Sequence, residues 1–394
     1  MMMMYIQPVR RKNKPISMKE TFQNRRIGHY QGSEEGPIVV CTAGLHGNEL
    51  AGIEALELVF EKLNSDEINL QGAFTGFAGN LQALKERQRY MDHDLNRSWT
   101  PDRTDAIQNN SFSAKQIEDQ EQVALLEELT TYFNADRQVY FLDLHTTTAN
   151  GIPFCCFGDT LRNREYARAV PVPKILGLED QLEGSLTEYL NIQGYPTLVV
   201  EGGQHNSPES VRSLEAAIWL VLEHLGLIRR GSIEQMSDYR QYLADRTQGM
   251  PDYIEITHRH EIHPKDEFQM KEGYLNFQRV NEGEYLARDR FGKIYAPFEG
   301  IILLPLYQGL GNDGFFIGRE ISQRALDISS LLRKFRFDAL LSAMPGIRTC
   351  QDSENTLVVN PEVLRSKRAE WLYLMGYRKL RKSDNRYFAK KRPE

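Results

Sequence analysis

"CTAGLHGNELAG", residues 41–52, decides how the N-terminal half of this 394-residue chain is read. Ile38-Val39-Val40 leads into it as a short β-branched run. A helical pattern follows, with Ile53, Leu56, Val59, Phe60 and Leu63 at turn spacing. The segment is therefore a strand, a tight turn and a helix. Gly44 and Gly47 suit a backbone that bends sharply at the end of a strand. His46 and Glu49 are three residues apart, so the turn brings them to one side. Such a pair is either two ligands of one metal ion or a histidine beside a polar helix start.

Outward from this stretch the same alternation recurs. "QVYFLDLH" (138–145) is a strand that follows the helical "SAKQIEDQEQVALLEELTTYF" (113–133), and "YPTLVVEGG" (195–203) is another strand. In "NSPESVRSLEAAIWLVLEHLG" (206–226), Ser207 fits an N-cap, Pro208 the first helical position and Gly226 the stop. Strands alternating with helices predict an α/β fold: a mixed, mostly parallel sheet covered by helices. After about residue 245, "KEGYLNFQRVNEGEYLARDRFGKIYAPFEGIILLPL" (271–306) has short strands cut by glycine turns, which predicts a small all-β domain. From residue 323 the pattern turns helical and ends in a basic tail. The expected units are 1–245, 246–322 and 323–394.

Composition narrows the function classes. The chain is 41% hydrophobic and 26% charged with net charge −6, ordinary for a globular protein. It carries no global charge footprint for nucleic acid or a membrane surface, and the basic tail reads as a solvated helical face. No run approaches the roughly 18 apolar residues of a membrane span. The opening "MMMMYIQPVRRKNK" lacks the apolar stretch of a signal peptide. Cys41, Cys155, Cys156 and Cys350 show no CxxC spacing, and the adjacent pair reads as buried strand. These features predict a reduced, cytoplasmic protein.

Chemistry concentrates at strand ends. His145 closes "FLDLH", where open α/β sheets form their sites. With His46 and Glu49 it makes the three protein ligands of a catalytic zinc, which leaves a fourth position for water. Asp143 shares the face of His145. It is either a carboxylate that orients a ligand histidine, His46 rather than its neighbour His145, or one bonded to loop backbone. In "RQRYMDHDLNRSW" (87–99), Arg97 with Asn96 suits a carboxylate, because the guanidinium fork binds one bidentately; Arg89 is second. Glu201, after the apolar "LVV", is placed for proton transfer or caps a loop. His258 and His260 alternate on a presumed strand, with His263 on the other face. These three read as solvated or interface histidines.

Four ordered motifs, "GLHGNE", "RY…DLNR", "DLHTTT" and "VVEGGQ", resemble the succinylglutamate desuccinylase/aspartoacylase family of the zinc carboxypeptidase superfamily. The likeness covers about residues 25 to 230. "YAPFEGIILLPLYQGLGNDGFFIGRE" (295–320) looks like the family's C-terminal β module. The resemblance implies one zinc per chain on His46, Glu49 and His145. It also implies Asn96 and Arg97 on the substrate carboxylate, Arg89 on the scissile carbonyl, and Glu201 as general acid/base. It departs in reading EGGQ, where aspartoacylases are closer to EVGPQ. The arginine that aspartoacylases carry before the catalytic glutamate has only Arg162 and Arg164 as positional candidates. The expected function is a zinc-dependent hydrolase that deacylates a small N-acyl amino acid or related amine bearing a carboxylate. A peptide carboxypeptidase and a non-catalytic metal scaffold are the rivals, and self-association is left open.

Overall fold

The computed structural model describes residues 24–394, apart from 66–67, 309–310, 352, 354, 365, 367 and 384–385. The opening segment read above lies outside the described residues.

The first seven strands are β1 (Arg26–Gln31), β2 (Glu34–Ala43), β3 (Gln71–Ala78), β4 (Val139–Thr147), β5 (Phe154–Cys156), β6 (Lys174–Leu176) and β7 (Thr197–Gln204). Next come β8 (Tyr253–Glu261), β9 (Gln269–Met270), β10 (Arg279–Val280), β11 (Tyr285–Asp289), β12 (Gly292–Tyr295), β13 (Gly300–Leu303) and β14 (Asp313–Glu320). The central sheet runs β1-β3-β2-β4-β7-β5-β6-β8-β14-β13-β10. Its heart, β3-β2-β4-β7, is parallel. Strand β5 enters antiparallel to β7, and β6 and β8 then continue parallel.

Apolar periodicity explains the layers. The helices Ala51–Ser65 and Pro208–His224 bury Ile53, Leu56, Val59, Leu214, Ile218 and Leu222 on one face, against Leu142, Leu144 and Val200. The helices Ile117–Thr130 and Leu186–Ile192 bury Leu125, Leu129, Leu186 and Leu190 on the other, against Phe141 and Val139. Along β4, side chains alternate between these layers. Asp143 and His145 therefore belong to the same face as Phe141. Register sets Ala43 beside Leu144 and His145 beside Glu201. The carboxyl ends of β2, β4 and β7 thus meet at one edge.

Two expectations need correction. Residues 253–320 are rich in strands, but they do not stand apart. Strands β8, β14, β13 and β10 extend the central sheet, and among the described residues of this region only β12-β11-β9 forms a separate small sheet. The C-terminal region is also not simply helical. After the helix Gln323–Lys334 comes a four-stranded antiparallel sheet of β15 (Ile347–Thr349), β16 (Thr356–Val359), β17 (Tyr377–Ser383) and β18 (Arg386–Lys391). The short helices Pro361–Leu364 and Arg368–Leu374 lie between its strands. Its strand alternation is hidden because Arg378, Ala389 and Lys391 occupy buried positions where β-branched residues would announce a strand.

Candidate active site

The turn after β2 is held by contacts that only glycine allows. The Glu49 amide donates to the His46 carbonyl at 3.1 Å. Gly44 has φ +69°, and a Cβ on Gly47 would sit 2.0 Å from the Ala83 carbonyl carbon. The Gly47 amide donates to the Arg89 carbonyl at 3.2 Å, so the turn rests on the loop that carries Arg89. The helix itself begins at Ala51.

Glu49 lies between the two histidines. His46 Nδ1 is 2.7 Å from Glu49 Oε1, and His145 Nδ1 is 3.0 Å from Glu49 Oε2. The Thr146 amide donates to the same Oε2 at 2.9 Å. All three residues are buried. Their potential ligand atoms lie within 4.8 Å of one another, and among the described residues this is the group that could hold a metal ion. The outer ring nitrogens are both anchored. His145 Nε2 meets Asp143 Oδ2 at 2.9 Å, and His46 Nε2 meets Asp94 Oδ1 at 3.2 Å. Asp143 is fixed in turn by the Thr42 hydroxyl, which donates to it at 2.6 Å. Asp143 therefore orients its neighbour His145 and not His46, contrary to expectation; Asp94 orients His46. Two imidazoles, one carboxylate and a carboxylate behind each imidazole make a donor set that fits zinc.

Burial and charge set the protonation. Burial alone would raise Glu49, but His46 and His145 hold its carboxyl well below the usual range. Burial alone would lower His145, but Asp143 and Glu49 hold it well above. Glu201 goes the other way. Burial, aided by Glu49 and Asp143, pushes it up to about 8 against the pull of His145 and Arg89. Its Oε2 is buried with no partner among the described residues.

The "RYMDHDLNR" loop is fastened from beneath. Buried Glu118 accepts from the amides of Met91, Asp92 and His93 at 2.7, 2.9 and 3.3 Å, and from Asn80 Nδ2 at 3.0 Å. Asp94 caps the turn Leu95–Arg97 by accepting from the Asn96 amide at 2.9 Å, and its Oδ2 accepts from Arg89 at 2.9 Å. Asp94 was not singled out from the sequence. An Asp directly before a helical turn is an N-cap signal, and that signal was available.

These groups line one cavity of about 520 Å³, which includes Arg89, Asn96, Arg97 and Glu201 together with the two histidines and Glu49. Asn96 Oδ1 accepts from the Leu186 amide at 2.9 Å and so ties the loop to the opposite helix. Arg97 donates to the Asn96 carbonyl at 2.8 Å and lies 3.8 Å from Asp313 of β14. The lining also includes Glu179 and, beside the His145 strand end, His205; neither was foreseen. His205 Nδ1 is 2.7 Å from the Thr146 hydroxyl. Burial pushes Glu179 up to about 7 despite nearby Arg392.

Arg162, Arg164, His258 and His260 do not line the cavity. Arg162 donates to the Gly194 carbonyl at the surface, and Arg164 is buried against Asp159. His258 and His260 are not freely solvated. They are half-buried on β8, where the His260 ring stacks on Phe315 at 4.9 Å. Cys155 and Cys156 are buried in β5.

Known proteins resemble this chain in sequence and fold. Residues 35–224 match the model of the succinylglutamate desuccinylase/aspartoacylase catalytic domain. A succinylglutamate desuccinylase of Pseudomonas paraeruginosa is 24% identical over 267 residues, 65% of this chain and 75% of its own. A probable aspartoacylase of Acaryochloris marina is 36% identical over 115 residues, 28% of this chain and 35% of its own. The crystal structure of a succinylglutamate desuccinylase/aspartoacylase from Rhodobacter sphaeroides shares the fold with TM-score 0.55 at 17% identity, covering 75% of this chain and 88% of that one. A succinylglutamate desuccinylase structure from Chromobacterium violaceum does so with TM-score 0.55 at 15% identity, covering 78% and 98%. Over residues 35–224 the chain is thus similar to the catalytic domain of the succinylglutamate desuccinylase/aspartoacylase family, and it shares the fold of that family's solved members.

Proposed function

We propose that the chain is a zinc-dependent amidohydrolase that removes the acyl group from a small N-acyl amino acid or related amine. The observation that carries this is the convergence of His46, Glu49 and His145 in one cavity with Glu201 and Arg97. His46, Glu49 and His145 would hold the zinc, which supplies a Lewis acid and lowers the pKa of water toward neutrality. Glu201 accepts the proton of the attacking water and returns it to the departing nitrogen. Arg89, held by Asp94, stabilises the charge that develops on the carbonyl oxygen. Arg97, with Asn96, takes a substrate carboxylate. Asp143 and Asp94 keep the two imidazoles in one orientation.

Carboxypeptidase action on peptides would use the same centre, but strand β14 supplies Asp313 and Phe316 to the cavity wall, which favours small substrates. Zinc analysis together with a panel of N-acyl amino acids and short peptides tests the proposal. Release of free amino acid from the acyl compounds by zinc-loaded protein is expected. Turnover confined to peptides, or none anywhere, would contradict it.

A further inference from the structure

The cavity has a wall that no step above uses. Among the described residues, Arg89 and Arg97 are the only arginines or lysines that line it, and Arg89 is engaged by Asp94. Arg162 and Arg164, which could have supplied another cation, both lie elsewhere. Arg97, which donates to the Asn96 carbonyl and lies 3.8 Å from Asp313, is thus the one guanidinium left for a single substrate carboxylate. Elsewhere the lining includes Cys156, Leu178, Leu182 and Val199, which pack together, and with them Glu179 and Thr187.

Glu179 is 4% exposed and is held from behind. Its Oε2 accepts from Asn191 Nδ2 at 3.3 Å and lies 4.0 Å from Arg392. Arg392 does not line the cavity, and it forms an ion pair with Asp180. The packing there is close: a Cβ on Gly158 would come within 2.8 Å of Glu179 Oε2, Asn191 Nδ2 and Arg392 Nε. Glu179 Oε1, by contrast, has no partner at hydrogen-bond distance among the described residues; besides Arg392, the neighbour that favours the charged carboxyl is the Thr187 hydroxyl, which also lines the cavity. Buried polar atoms are almost always hydrogen-bonded, and an exception needs a reason. A second carboxylate on the substrate would find no cation on this wall and would be repelled by Glu179. A donor group would satisfy the open oxygen.

We infer that Glu179 is a specificity residue: it selects N-acyl substrates that present a hydrogen-bond donor, an ammonium, amide or hydroxyl group, in addition to the single carboxylate taken by Arg97. This rests on the deacylase reading above and narrows its substrate class. A site built to bond a polar group rejects analogues that leave it unpaired, which makes the preference measurable.

The test uses matched compounds that differ only in the distal group: N-acetylglutamine against N-acetylglutamate, and N-(β-alanyl)glycine against N-succinylglycine. Hydrolysis and ligand-induced thermal shift are both measured on the full chain loaded with zinc. For at least one pair the donor-bearing member should have roughly 10-fold or greater advantage in kcat/KM, the scale of one charged hydrogen bond. Glu179→Gln and Glu179→Leu should bring that ratio toward one while zinc content stays constant. A wild-type preference for the carboxylate members would overturn the inference and leave deacylation intact. So would variants that lose thermal stability with an unchanged ratio, since Glu179 would then be only a structural partner of Arg392. Glu179-dependent binding of donor compounds without hydrolysis would sink the deacylase reading alone. Neither binding nor turnover of any member would overturn both.

Discussion

His145 and Glu201 stand opposite each other in register at the carboxyl ends of the parallel strands β4 and β7. Neighbouring strands lie about 4.8 Å apart, so a histidine oriented by Asp143 and a carboxyl raised by burial share one corner of the cavity. The sheet, not a flexible loop, sets their separation. His46 and Glu49 reach the same corner from the turn that follows β2, whose close packing requires glycine at 47. The proposed chemistry depends on that rigid edge.

Asp94 bridges His46 and Arg89, so its loss should act on both. Asp94→Asn is expected to fold but to bind zinc roughly 10–100-fold more weakly, the usual cost of losing a carboxylate that orients a ligand histidine. Competition against a chelator reads this directly. Affinity equal to wild type would show that Asp94 serves only as the cap of the turn Leu95–Arg97.

Arg97 should read a substrate carboxylate. Arg97→Lys keeps the charge and loses the planar fork. It should stay folded and zinc-loaded while kcat/KM falls by about 1.5–3 kcal/mol. For a substrate with an amidated carboxylate the loss should shrink sharply, since wild type already lacks that contact. Equal losses on acid and amide would mean that Arg97 does not recognise the carboxylate.

Asp159 joins the C-terminal region to the catalytic domain. It lies within 3.2 Å of Arg164, Arg333 and Arg378, the last two from the helix Gln323–Lys334 and from β17. Burial would raise its carboxyl, but the three guanidiniums hold it well below the usual range. A depressed carboxylate contributes stability that is present above its unfolded value near 3.8 and is lost as pH falls through the folded value. Asp159→Asn should therefore cost about 3–5 kcal/mol at neutral pH, the penalty for breaking a buried ion pair. The gap from wild type in denaturant unfolding should stay constant from pH 5 to pH 8, within about a tenth of its size, and close in stronger acid. A gap that widens in acid would contradict this.

Much of the site is legible in the chain because strand ends expose it. His46, Glu49, His145 and Glu201 each interrupt or follow an apolar run, where a polar side chain has no packing reason to be. Asp143 could be placed on the face of His145 by alternation, but which histidine it served could not. Both outer nitrogens look the same in sequence. Glu179 was invisible for a different reason. It sits in a four-residue helix, Leu178–Gln181, whose position in the cavity is set by contacts with Asn191 and Arg392, 12 and 213 residues away. Arg164 carried no mark that Asp159 would sequester it. The C-terminal strands were missed because their buried positions include Arg378 and Lys391, whose alternation does not read as apolar.

The central claim is that a zinc at His46, Glu49 and His145 works with Glu201 to hydrolyse an amide. It is tested most directly by measuring zinc content and N-acyl amino acid hydrolysis on the same samples of wild type, His145→Ala and Glu201→Gln. Wild type should hold about one zinc per chain and release free amino acid. His145→Ala should lose most of the metal and the activity together. Glu201→Gln should keep the metal and fall at least roughly 10²-fold in kcat, the lower bound for a lost general acid/base. Near-normal turnover by zinc-loaded Glu201→Gln, or full zinc retention by His145→Ala, would contradict the account.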